Sequence, residues 1–214
     1  TYLIRQANFV ACHNPSYVDK YNMVQELVDG GTFLLNCSWD MEGLEEHLPG
    51  QVKSYIANHN IKFYTIDGIK IGKEIGLGGR INTVLQSAFF KLAAIIPEEE
   101  AIDLMKAAAK ATYGRKGDKI VQMNYDAIDA GAKQVVEIAV PESWKDAADE
   151  GLTTPHVGEG GRADVVDFVK NIQAKVNAQE GNTLPVSAFN EYVDGSTPSG
   201  SSAYEKRGIA VDIP

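Results

Sequence analysis

Between Ala7 and about Val140, short apolar runs that suit β-strands alternate with segments whose apolar residues recur at helical spacing, and that alternation is what a parallel βαβ sheet requires. Strand-like runs cover 7–12, 31–37 (after the Asp29-Gly30-Gly31 turn) and 61–66, the last ending at Asp67-Gly68. Helical patterns are read near 15–27, 42–47, 52–58 and 69–75. After them Val84, Leu85, Ala88, Phe89, Leu92 and Ile95 mark a buried helix, with Asn82 or Thr83 expected to cap it. Pro97 followed by Glu98, Glu99 and Glu100 opens another, because proline fits a first turn and carboxylates suit its positive end; Gly114 closes it. From Asp118 the pattern of Ile120, Met123, Ala127 and Val135 predicts a longer helix interrupted by Gly131. The expected class is α/β, a mostly parallel sheet flanked by helices over residues 1–140, followed by an extended irregular connector over 141–214. In that second part only 165–176 has a helical pattern, and 195–202 is close to pure linker in composition.

The 214 residues, 44% apolar and 23% charged, suffice for one full domain plus something smaller. The formal charge of −9, from 20 basic and 29 acidic side chains without a Lys/Arg cluster, argues against nucleic acid and anionic membrane as partners. No apolar run approaches the roughly 18 residues a membrane helix needs, and the start lacks a signal-peptide layout; a cytoplasmic protein is expected. The chain opens without Met on an apolar run and closes on a strand-like piece, which reads as a segment of a longer polypeptide.

Within this frame, Gly76-Leu-Gly-Gly-Arg80-Ile-Asn82-Thr83 is the segment richest in binding groups, lying between a strand-like run and a long helix. Glycines let backbone approach a ligand, and free N–H groups at a helix start beside an arginine fork suit a phosphate or carboxylate. The run lacks both the G-x-G-x-x-G order and a Gly-Lys-Ser/Thr ending, so it is neither a dinucleotide fingerprint nor a P-loop. Two readings stay open: an anion-binding loop, or a helix C-cap followed by a tight turn into the next helix.

Other chemistry is sparse. The four histidines (His13, His47, His59, His156) form no i, i+4 pair; His13, at a strand end with Asn14 and Pro15, is either a ligand-edge residue or an exposed capping one. Asp67 ends a strand at the same rim and is expected to cap a turn or helix. Ser38 and Ser87 have no base nearby in sequence and no G-x-S-x-G elbow. Cys12 and Cys37 are expected as buried, reduced thiols, with a disulfide in an oxidising compartment as the alternative, and they make no metal quartet. Trp39 and Tyr64 fit the core or its rim. No catalytic residue and no metal ligand is assigned.

The series Asn8-Phe-Val-Ala-Cys12-His13, Phe33-Leu-Leu-Asn36, Lys62-Phe-Tyr-Thr-Ile-Asp67, Gly76-Leu-Gly-Gly-Arg80-Ile-Asn82-Thr83-Val-Leu-Gln86 and Tyr113-Gly-Arg-Lys-Gly117 resembles pyruvate:ferredoxin (flavodoxin) oxidoreductases. Residues 1–140 are similar to most of the gamma-type 2-oxoacid oxidoreductase domain of that family, whose fold is Rossmann-like. Residues 141–214 are similar to the connector ahead of its ferredoxin-like domain. The resemblance implies oxidative decarboxylation of pyruvate with coenzyme A to acetyl-CoA, using thiamine diphosphate and [4Fe–4S] clusters, with electrons passing to ferredoxin or flavodoxin in anaerobic metabolism. It further implies a homodimer at full length, with the other domains of the same polypeptide as partners. None of those cofactors is ligated here by a visible motif. Arg80 and Asn82, with Gly79, match positions carried over as coenzyme A contacts. The family's domain begins with a further βα unit bearing a glycine-rich loop, which this chain does not include, so the isolated segment is expected to bind coenzyme A weakly and to catalyse nothing. A purely structural interdomain scaffold is the competing expectation.

Overall fold

A computed structural model describes residues 4–148 and 161–204 of the chain. They divide into two units by contact, the first drawn from Thr1–Val18 and Met23–Asp149, the second from Asp19–Asn22 and Glu150–Pro214.

The first unit is built on a four-stranded sheet in the order β1 (Ala7–Cys12), β2 (Leu27–Asn36), β3 (Lys62–Ile66), β4 (Val136–Glu137). The first three strands run parallel and the short β4 is antiparallel at the edge. From Gly31 to Cys37 every residue is buried, as expected of a central strand covered on both faces. Alternation then sorts the side chains. Phe33, Leu35 and Cys37 enter one core with Val52, Ile56, Phe63 and Trp144; Leu34 enters the other with Ile66, Val84, Leu85 and Ala127. Phe33 and Phe63 are register partners whose rings stack at 5.6 Å. Each such fully buried ring contributes about 2–3 kcal/mol of transfer free energy.

Helices α1 (Met41–His47) and α2 (Gly50–Asn58) contribute Leu44, Val52 and Ile56 to the first core. The other face carries α3 (Gly68–Ile75), α4 (Asn82–Ala93) and α6 (Asp118–Lys133), with α5 (Glu98–Tyr113) packed against α4 and α6. The expected α/β class holds.

Local expectations fail at four places. Residues 15–27 form only a 3-10 turn at Pro15–Tyr17 and bends, because burial of Val18 and Val24 and pairing of Leu27 with Ala7 outweigh a weak helical pattern. Leu27 thereby starts β2 four residues earlier than Gly31; the supposed turn at Gly30 (φ 72°) is an irregularity within the strand, where the register shifts between Ala7 and Phe9. Neither Asn82 nor Thr83 caps α4: Ile81 occupies that position and Asn82 is the first helical residue. Gly131 does not interrupt α6. A Cβ there would stand 2.2 Å from the Val84 carbonyl, so the glycine is what lets α6 approach α4, and Ser87 Oγ donates to the Ile128 carbonyl at 2.6 Å across the same contact.

In the second unit α7 (Ala163–Phe168), a π-helical stretch (Val169–Gln173) and α8 (Ala174–Asn177) follow without a break. Val165, Phe168, Val169 and Ile172 make a small cluster with Leu184, Tyr192 and Tyr204. The linker-like 195–202 is pinned locally, Asp194 accepting from Ser196 and Gln173 donating to the Ser201 carbonyl at 3.0 Å.

Candidate functional site

Two concavities of the first unit hold the residues singled out by sequence. The larger, about 450 Å³, lies at the carboxyl ends of β2 and β3 and is lined by Asn36, Cys37, Ser38, Asp67, Lys70 and Lys73 among others. This is where ligands of open α/β sheets commonly bind. Here, however, the polar groups have internal duties. Buried Asn36 donates to the His13 carbonyl and accepts from Gly68 N–H, both at 2.9 Å, tying the ends of three strands together. Asp67 caps α3 by accepting from Lys70 N–H at 2.8 Å, as expected. Its lining carries both signs of charge, Lys70 and Lys73 together with Asp67 and Glu74.

The thiols are inert by the same measure. Cys12 and Cys37 are buried and unpaired; burial pushes the Cys12 thiol up to about 11 and raises that of Cys37, so both stay protonated at neutral pH. His13 is exposed, and Ser87 is engaged in helix packing. Trp39 stacks on His47 at 4.7 Å and is a half-buried neighbour of the first core, while Tyr64 is half-buried against the second. Among the described residues no three His, Cys, Asp or Glu side chains converge as metal ligands.

The second concavity, about 180 Å³, opens at the start of α4. The glycine run does two things here. Gly76 (φ 89°) ends α3 in a left-handed cap, with Leu77 N–H bonded back to the Gly72 carbonyl at 2.8 Å and the Leu77 side chain buried beside Ile71. The tight-turn reading is therefore correct for Gly76. The turn then delivers Arg80 and Asn82 to the cleft, and both line it. Arg80 Nε donates to the Leu77 carbonyl at 3.3 Å, and the guanidinium makes no salt bridge among the described residues. No side chain caps the first turn of α4. Gly79 is exposed next to Arg80 with open space around it, yet does not itself line the cleft.

Opposite stand Tyr113, Lys116 and Asn124, residues given no role from sequence. Lys116 sits in the 3-10 turn Gly114–Lys116, its ammonium 5.5 Å from the Tyr113 ring centroid. Among the described residues the cleft is thus lined by two cations and no carboxylate, in a chain of net charge −9. Nothing local could have paired Lys116 with Arg80; the α5–α6 turn and the α3–α4 turn meet only in the folded sheet layer. The Tyr113-Gly-Arg-Lys-Gly117 string was the available signal.

Comparison with known proteins places this geometry. The family model for pyruvate ferredoxin/flavodoxin oxidoreductase matches residues 1–134, which hold the three parallel strands and both clefts. The chain belongs to that family. A second family model, a domain of unknown function, matches residues 159–210 of this oxidoreductase-family chain. A pyruvate-flavodoxin oxidoreductase of Enterobacter agglomerans is 47% identical over 213 residues, covering all of this chain and 18% of the relative. A pyruvate:ferredoxin oxidoreductase of Moorella thermoacetica is 47% identical over 213 residues, covering 17% of the relative. The chain therefore spans less than a fifth of the length of these curated relatives. A solved pyruvate oxidoreductase subunit PORC of Thermotoga maritima matches with a TM-score of 0.49 at 17% identity, over 62% of this chain and 65% of that one. No helix among the described residues is long and apolar enough to cross a membrane.

Proposed function

We propose that this chain is a segment of a pyruvate:ferredoxin or pyruvate:flavodoxin oxidoreductase and that its cleft at the start of α4 contributes to binding coenzyme A. The observation that carries the reading is the lining of that cleft: Arg80 and Lys116 with no carboxylate among the described residues that line it, beside a helix start whose N-cap residue makes no side-chain cap. Phosphate groups are the natural complement, since guanidinium and ammonium donors form charge-assisted hydrogen bonds with them. Arg80 and Lys116 hold the anionic part of the ligand, and Asn82 offers a neutral amide beside them.

In this reading the segment supplies position rather than bond-making. Holding coenzyme A against a reacting centre elsewhere in the polypeptide raises its effective concentration there. Thiamine diphosphate and [4Fe–4S] clusters belong to other parts of the full-length enzyme. A four-iron cluster takes four cysteine thiolates, whereas this chain has two cysteines, both buried and protonated. Electrons leave to ferredoxin or flavodoxin, the enzyme works in the cytoplasm as a homodimer, and residues 141–214 link this domain to its neighbours in the same polypeptide.

The test is made in the full-length enzyme. Arg80→Ala is expected to raise the coenzyme A KM by about tenfold, one charge-assisted contact, and Asn82→Ala by a smaller factor, with sedimentation unchanged. An unchanged KM accompanied by loss of assembly would leave the segment as an interdomain scaffold. Titration of the isolated chain is expected to show weak coenzyme A binding and no turnover; tight binding would contradict its dependence on neighbouring domains.

A further inference from the structure

The cleft that holds Arg80 and Lys116 is too small, at about 180 Å³, for a whole coenzyme-sized ligand, which needs several hundred. It does not end there. A further concavity of about 360 Å³ runs between α4 and α5, and Thr83, Tyr113 and Asn124 line both, so the two adjoin. Their characters differ. The first is cationic; the second is walled by Phe90, Leu104, Met105 and Ala108 and carries no charged residue among the described ones. Leu104 keeps 56% of its surface exposed, and Ala108 is exposed one turn later on the same face of α5. A cationic pocket beside an apolar groove fits a ligand with phosphates at one end and a long, uncharged arm.

Asn124 stands where the two meet. It is 5% exposed, and its Nδ2 donates to the Ile120 carbonyl at 2.8 Å. Because a backbone carbonyl only accepts, that bond fixes the amide orientation and turns Oδ1 the other way. Among the described residues Oδ1 accepts no hydrogen bond, and it is not sealed from solvent; it is an acceptor left open at the junction. An acceptor that bonds no described protein group and still reaches solvent has its hydrogen-bonding capacity free for a ligand donor.

We infer that the groove along α5 receives the pantetheine arm of the coenzyme, with Asn124 Oδ1 accepting from an amide N–H of that arm. This rests on the coenzyme A reading above and extends it from the phosphates to the rest of the molecule. The arm's two amide groups supply the donors, and its uncharged chain lies against Leu104, Met105 and Ala108.

The test uses the full-length enzyme and two ligands, coenzyme A and adenosine 3′,5′-bisphosphate, which carries phosphates and no arm. Ala108→Leu fills the groove from an exposed helical position that leucine suits. It is expected to raise the coenzyme A KM roughly tenfold while the inhibition constant of the bisphosphate stays put. Asn124→Leu is expected to show the same split. A KM unchanged in Ala108→Leu, equal weakening of both ligands, or a loss of assembly without a change in affinity would each overturn the groove assignment. Arg80→Ala separates this from the parent reading: weakening of both ligands upholds the phosphate cleft whatever Ala108→Leu does, whereas no effect on either ligand removes the coenzyme reading and the groove with it.

Discussion

The cleft at the carboxyl ends of β2 and β3 and the cleft at the start of α4 are both polar hollows of one α/β layer, yet their hydrogen-bonding capacity is disposed in opposite ways. At the strand ends Asn36 bridges the His13 carbonyl and Gly68 N–H, Asp67 caps α3, and the lining carries two lysines and two carboxylates. At the α4 start, among the described residues, the guanidinium of Arg80 meets no acid, Lys116 joins it, and Asn124 Oδ1 accepts no hydrogen bond. The first hollow is larger and occupies the position that α/β topology favours. It is nonetheless a joint. Volume and topology locate a concavity; leftover donors, acceptors and uncompensated charge decide whether it has anything to offer a ligand.

The largest effect expected is on the helix pair that shapes the second cleft. Gly131→Ala places a methyl group against the Val84 carbonyl, where a Cβ would sit 2.2 Å away, and is expected to lower stability by about 3 kcal/mol or more, seen as a drop in unfolding midpoint. A neutral result would mean that α4 and α6 are not held at this distance and that the cleft is not fixed by their packing. Next comes the joint itself. Asn36→Ala leaves the buried Gly68 N–H and the part-buried His13 carbonyl without their partner and is expected to cost about 2 kcal/mol with no change in coenzyme A affinity. If affinity fell instead while stability held, the contrast between the two hollows would be reversed.

The smallest effect concerns the thiols at the same strand ends. Cys12 holds its proton up to about 11 in the folded chain because burial disfavours the thiolate, whereas its ordinary value is 9.0. The folded state therefore binds that proton more tightly than the unfolded one, so stability is unaffected below pH 9 and declines as pH rises from 9 to 11. The decline is on the order of 2 kcal/mol. Denaturant titrations across that window should show a shallower decline in Cys12→Ala than in the parent chain; an identical slope would show that Cys12 is not buried as a neutral group.

How far the chain could be read without coordinates follows from how local each signal is. Strand Ala7–Cys12 and the helix Glu98–Tyr113 follow from alternation, a proline at the entry and a glycine at the exit, all within one element. The supposed helix at 15–27 failed because Leu27 is committed to pairing with Ala7, a partner from another element. Gly131 was misread for the same reason: a glycine in a helix is a weakness when seen along the chain and a point of close approach when seen across it.

The amino-acid order alone determined the α/β alternation, the cap at Asp67, and the presence of an arginine and an amide at the start of a buried helix. It did so because these depend on periodicity and on neighbours a few residues apart. Only the tertiary structure decided that Lys116 joins Arg80 in lining one cleft and that Asn124 lines it too, its Nδ2 held by the Ile120 carbonyl. It also decided that the strand-end polar groups are bonded to one another. Those outcomes depend on which distant groups consume each other's hydrogen bonds and charge, and that balance is settled only when sheet and helices are packed.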